Sequence, residues 1–190
     1  MTCTIGIDPS LTATGVVVLG SDGTVIQHSE VASVDLGLSV QARMKRIEKL
    51  TRGVMAIVAQ VKPACACIET YSFGSSSSMI TQLAEYGGVL RFALIDYGVK
   101  LHEVAPTTLK KWATGAGKFP KGSGKTPMIV HITQKYGEGF NNDNEYDAYA
   151  LARIAMQIAG FEPPANEAQK QCIATITAPK VRNTKKKVSR

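Results

Sequence analysis

Residues 3–31, CTIGIDPSLTATGVVVLGSDGTVIQHSEV, constrain the fold more than any other stretch. They read as three strands joined by short turns. In the first, side-chain alternation puts Thr4, Gly6 and Asp8 on one face and Ile5 and Ile7 on the other, which leaves Asp8 at the strand's end. Ser21-Asp22-Gly23 is a hairpin signal between Val16–Leu19 and Thr24–Val31. Three consecutive strands with such short links form a meander, and the rest of the chain must cover it.

The cover alternates helix and strand. Val40, Met44, Ile47, Val54, Ile57 and Val61 recur at helical spacing until Pro63 stops the run. ACACIE follows as a short strand apolar on both faces, the pattern of a parallel strand in mid-sheet, and it ends in Glu69. Residues 75–98 predict a serine-capped second helix in which Gly87-Gly88 permits close approach. VKLHEV is another strand, PTTLKKWAT a helix begun by proline, TPMIVHITQKYG a further helix, and DNEYDAYALARIAMQIAG the last core helix. This is an α/β layout: a mixed central sheet with a three-strand meander and helices on both faces. In such sheets chemistry gathers at the carboxyl ends of the central strands, where Asp8 and Glu69 both fall. Beyond Gly160 the chain turns polar, so residues 1–160 are expected to form one domain and 161–190 a basic, disordered tail.

The net charge of +7 is segregated. Residues 104–137 hold six lysines (Lys110, Lys111, Lys118, Lys121, Lys125, Lys135) and no acid, and residues 179–190 hold six Lys/Arg and no acid. The remainder of the chain is acidic. A basic loop and basic tail on an acidic body fit a polyanion, nucleic acid first. The loop GKFPKGSGKTP ends in Gly-Lys-Thr but is no nucleotide loop. The glycine a P-loop needs falls at Phe119, and Pro120 removes one of the amides that would cradle phosphate. No apolar run reaches membrane length, and the four cysteines lack zinc-ligand spacing; a soluble, cytoplasmic protein with reduced core thiols is expected.

Asp147 lies one turn before Leu151 on the stripe that Leu151, Ile154 and Ile158 continue, and Asp143 is one turn earlier. A carboxylate facing a core is costly unless something pairs with it. Two acids on one helix face and one at each of two strand ends repel each other unless divalent cations bind, the demand of two-metal phosphodiester chemistry. Singly, each acid also fits a structural role: Asp8 as a turn former before Pro9, Glu69 as a strand-end surface acid, Asp143 as a helix cap.

IGIDPSLTATG, CIETYSF and NNDNEYDAYALA, in this order, resemble the RuvC family of Holliday junction resolvases, particularly its phage-type members, over residues 3–160. The resemblance implies a ribonuclease H-like fold and a homodimer in a bacterial cell. It also implies a crossover junction endodeoxyribonuclease that uses two Mg²⁺ or Mn²⁺ ions to nick opposed strands of a four-way DNA junction. By motif match Asp8, Glu69 and Asp147 would be metal ligands. Bacterial members commonly space their last two acids three apart; that position is Asn144 here, so Asp143 is chosen as fourth ligand with Asn144 or Glu145 in reserve. Ser10 stands where a glycine is usual, and Ser72 where bacterial members carry an aromatic. Its neighbours Tyr71 and Phe73 are the candidates to stack on a base. Lys118, Lys121 and Lys125, with Lys110 and Lys111, would contact phosphates, Lys125 nearest the scissile one. His102 and His131 are read as structural. The rival readings are a broader branched-DNA nuclease, a non-catalytic junction-binding protein, and an actin- or sugar-kinase-like ATPase, for which one short domain is too little chain.

Overall fold

The computed structural model describes residues 2–71, 77–119 and 122–179. Strands β1 (Cys3–Asp8), β2 (Ala13–Gly20) and β3 (Val25–Ala32) form the expected antiparallel meander. Helix α1 (Val40–Val61) leads to β4 (Cys65–Glu69), α2 (Ser77–Asp96) to β5 (Leu101–Val104), and α3 (Pro106–Thr114), α4 (Thr126–Tyr136), α5 (Asp143–Ala159) and α6 (Glu167–Thr177) follow. The sheet order is β3-β2-β1-β4-β5, with β4 parallel to both β1 and β5. β1 is therefore interior and wholly buried, whereas β3, at an edge, alternates between half-buried and exposed residues.

The alternation in β1 separates two cores. Ile5, Ile7, Val16, Val18 and Ile68 face α1 and α2. Val17, Leu19, Cys65 and Cys67 face α5 and the smaller helices around it. Small residues bring α5 down onto the sheet. A Cβ on Gly6 would lie 1.9 Å from the Ala148 carbonyl oxygen, and one on Gly15 would lie 2.3 Å from that of Asn144. Thr4 Oγ1 donates to the Ala152 carbonyl at 3.2 Å. Helix and strand backbones thus touch directly, which only glycine at these positions permits.

Three expectations change. The polar stretch after Gly160 carries α6, whose Gln169, Cys172 and Ile176 are buried, so the folded body runs on past residue 160. A buried relay holds it: Trp112 Nε1 donates to Gln157 Oε1 at 2.8 Å, and Gln157 Nε2 to Gln169 Oε1 at 3.0 Å. Of the glycine pair in α2, Gly87 alone meets close neighbours; a Cβ on Gly88 would point into open space. Val40 and Met44, though on the apolar stripe of α1, are exposed. The serines before α2 and the basic stretch from 180 lie outside the described residues. All four cysteines are free and buried. Among the described residues no helix is long and apolar enough to cross a membrane.

Candidate active site

Because β1 and β4 are parallel with Ile7 opposite Ile68, the next residue of each strand, Asp8 and Glu69, emerges at the same carboxyl edge. There the Asp8 and Glu69 carboxyl groups act on each other, and the charge of Glu69 helps to raise the Asp8 pKa. The turn that follows is tied back: Thr14 Oγ1 donates to the Ser10 carbonyl at 3.0 Å and meets the buried Tyr86 hydroxyl at 2.7 Å. Asp8 is only 6 % exposed and Asp147, brought over the same edge by α5, only 5 %.

The start of α5 is fixed by a reciprocal cap. Asn142 Oδ1 accepts the Glu145 N–H at 3.0 Å, and Glu145 Oε2 accepts the Asn141 N–H at 3.0 Å. Glu145 Oε1 also meets His28 Nδ1 at 3.1 Å. Asn144 Nδ2 turns to the sheet, donating to the Ala13 carbonyl at 2.9 Å and to Glu30 Oε1 at 3.1 Å. Both residues held in reserve as ligands are thus occupied in seating the helix. Asp143 is exposed one turn before Asp147, and its charge reaches that carboxyl.

The electrostatics describe an unbalanced cluster. Burial, then the charges of Glu69 and Asp147, push the Asp8 carboxyl well above the usual carboxylate range, with Lys125 opposing. Burial likewise raises Glu69 and Asp147. Lys125, the residue before α4, is ion-paired with Asp147. Burial works against its ammonium, but Asp147, Asp8 and Glu69 outweigh that and hold its pKa above the lysine norm. Two cations, Lys125 and the more distant Lys110, against three converging acids leave negative charge uncompensated, and hard carboxylate oxygens are the donors that Mg²⁺ and Mn²⁺ prefer. The donor set fits a divalent ion. Among the described residues no three acidic, histidine or cysteine side chains close around one point as a finished cage; Lys125 stands against Asp147 instead.

The other predicted residues divide. Lys110 and Phe119 line a small cleft with Glu69, Lys125 and Asp147, and Lys110 Nζ lies 5.3 Å from the Phe119 ring centroid. Lys118 is exposed on the same loop. Lys111 turns away, donating to Gln171 Oε1 on α6 at 2.9 Å. Tyr71 borders a second cleft beside Glu69, with Pro9 and Leu83. Phe73 and Lys121 lie outside the described residues. His102 and His131 are partly buried, each with an unpartnered Nε2, and burial followed by a neighbouring lysine lowers both pKa values. Sequence reasoning missed Arg91, whose signal was one charge inside the apolar run GVLRFALI.

The model of the family described as crossover junction endodeoxyribonuclease RuvC matches residues 4–155. The chain belongs to the RuvC family. It is 31 % identical over 158 residues to a crossover junction endodeoxyribonuclease RuvC of Neorickettsia sennetsu, covering 78 % of this chain and 89 % of that one. It is 27 % identical over 150 residues to its counterpart from Chloroflexus aggregans, covering 78 % and 88 %. The fold is that of Thermus thermophilus RuvC, at a TM-score of 0.68 and 18 % identity over 84 % of this chain and 96 % of that one. The same protein in complex with a Holliday junction substrate gives a TM-score of 0.67. RuvC proteins are metal-dependent nucleases, and in this RuvC-family chain the acids expected of that chemistry stand at one edge of the ribonuclease H-like sheet.

Proposed function

We propose that this chain is a Holliday junction resolvase in which Asp8, Glu69, Asp147 and Asp143 hold two Mg²⁺ or Mn²⁺ ions. The observation that carries this reading is the convergence of three carboxylates from β1, β4 and α5, Asp8 and Asp147 buried and Glu69 half-buried, whose pKa values are raised together. When bound, the ions supply charge to activate a water and to stabilise the departing oxygen. The protein's own residues do the rest. The parallel register of β1 and β4 aligns two ligands, and Asp147 completes the set from α5. Asp143 remains available at the rim because Asn144 and Glu145 are engaged elsewhere.

Lys110, Lys118, Lys121 and Lys125 receive the phosphate backbone, with Lys111 at the margin toward α6, and these contacts give affinity without sequence choice. Tyr71, beside the acids, stacks on a base near the junction centre, with Phe73 next to it in sequence. Paired nicks on a two-fold substrate need two sites, so the active species is a homodimer. Its interface is the outward face of α2, where Phe92 and Ile95 are 71 % and 62 % exposed beside the open Gly88. The protein works on DNA in the cytoplasm of a bacterial cell.

The test is cleavage of a labelled four-way junction beside a linear duplex and a fork, with Mg²⁺ or Mn²⁺, by wild type and Asp8→Asn. Paired symmetric nicks on the junction alone, lost in the variant while binding persists, support the reading. Equal cleavage of all three substrates makes the protein a broader nuclease, and binding without cleavage makes it a junction-binding protein.

A further inference from the structure

Arg91 lies on α2, and its side chain is only 13 % exposed. Its guanidinium uses donors in several directions at once. Nε donates to Glu103 Oε1 of β5 at 2.9 Å, one terminal nitrogen to the Glu69 carbonyl at 2.9 Å, and the other to the Tyr71 hydroxyl at 3.1 Å and the Gly87 carbonyl at 3.0 Å. The guanidinium carbon also lies 4.8 Å from the Tyr71 ring centroid. Gly87 is part of the arrangement: a Cβ there would come within 2.4 Å of the Tyr71 hydroxyl and 2.7 Å of the Arg91 guanidinium.

Two of these partners, Glu69 and Tyr71, flank the site. Glu69 is a proposed metal ligand on the last residue of β4, and Tyr71, two residues on, is a proposed stacking residue. The chain between them keeps one main-chain bond to β5, from the Thr70 N–H to the Val104 carbonyl at 2.9 Å, and then leaves the sheet. Arg91 adds to that support by gripping the Glu69 main chain and the Tyr71 side chain with one rigid planar group. A lysine has a single charged atom and cannot span these acceptors together.

We propose that Arg91 is a positioning residue: it fixes the offset between the Glu69 ligand and the Tyr71 ring, and so between the metal ions and the stacked base. It touches neither DNA nor metal. The inference rests on the proposed roles of Glu69 and Tyr71. Groups that orient a metal's ligands without touching the metal are typically worth about 10–100-fold in metal affinity or activity.

The test compares full-length wild type, Arg91→Lys, Tyr71→Phe, Glu103→Gln and Glu69→Gln. Three readouts are taken: Mn²⁺ binding to the DNA-free protein by loss of the free-ion EPR signal, 2-aminopurine fluorescence at the centre of a bound junction, and single-turnover cleavage against Mn²⁺ concentration. Arg91→Lys is expected to weaken Mn²⁺ binding and raise the Mn²⁺ needed for half-maximal cleavage by about 10-fold. It should also lose most of the 2-aminopurine response while junction affinity in Ca²⁺ is kept. Glu103→Gln removes the charge of one anchor of Arg91, keeps an accepting oxygen there and leaves the bonds to Glu69 and Tyr71, so it should lower the melting temperature modestly without moving these readouts. Tyr71→Phe, which removes one acceptor and keeps the ring, should show the same changes at smaller size, and it decides the matter if Arg91→Lys does not fold. Wild-type readouts in both Arg91→Lys and Tyr71→Phe, or in Tyr71→Phe alone where Arg91→Lys does not fold, overturn the inference. So does a loss of stability with no metal or fluorescence shift. Wild-type cleavage by Glu69→Gln instead overturns the reading of the site itself, which separates the two failures.

Discussion

Gly6 and Ala148 meet backbone to backbone: a methyl group on Gly6 would stand 1.9 Å from the Ala148 carbonyl oxygen. The contact fixes the height of α5 above β1, one residue after Asp147 on the helix and two before Asp8 on the strand. Gly6→Ala must lift the helix or bend the strand. It is expected to destabilise by about 3 kcal/mol, the upper part of the overpacking range, because neither neighbour is a side chain that can rotate away. Urea unfolding measures the loss, and cleavage should fall further than stability alone predicts.

The acid cluster makes stability depend on pH in a defined direction. The folded pKa values of Asp8, Glu69 and Asp147 lie above their ordinary values, so the protonated forms are favoured in the native state. Their contribution is fully present below the unfolded pKa values and is lost as pH rises through the folded ones. Metal-free protein should therefore lose stability from about pH 4 upward, the unfolded carboxylate range. Asp8→Asn should flatten that slope and be the more stable form at neutral pH in EDTA. Thermal melts across pH check both; a slope unchanged in the variant counts against the coupling.

Lys125 is ion-paired with Asp147 in the DNA-free protein. Lys125→Met leaves the acids without that counter-charge. The variant should melt lower in EDTA yet gain more from added Mg²⁺ than wild type does. Its junction binding should weaken, with the slope of log affinity against log salt reduced by about 1. Melts with and without Mg²⁺, and a salt titration of binding in Ca²⁺, measure the two effects.

Phe92 projects from α2 at 71 % exposure, uncovered among the described residues. Phe92→Glu should convert the proposed dimer to monomer in sedimentation equilibrium while leaving the monomer's melting temperature close to wild type, because the side chain supports no core. Such a monomer should nick one strand of a junction and fail to pair the cuts.

Much of this was legible in the sequence, for physical reasons that differ by element. Period-two alternation gave the faces of β1, and the structure places Thr4 and Gly6 against α5 and Ile5 and Ile7 against α1 and α2. Helical spacing located Asp147, since a carboxylate on an apolar stripe has few innocent explanations. The same spacing failed at Val40 and Met44, because periodicity identifies a face without saying whether anything lies on it. α6 went unread because glutamines hold it through a buried relay, and glutamine in a sequence looks like surface. Lys125 was singled out as a candidate DNA contact but not as the partner of Asp147, and Arg91 not at all, since their partners come from other elements and no local pattern announces such a meeting.

The seat of α5 also governs when this protein can become a nuclease. Asp8 and Glu69 come together within the first 69 residues, but one face of their sheet stays bare until α5, nearly eighty residues later, has been made. Contacts so distant along the chain form late and slowly. A growing chain on the ribosome thus carries two of the three converging acids proposed to hold metal before the third is added 78 residues later, and the proposed site is incomplete until its hydrophobic sheet has been closed over.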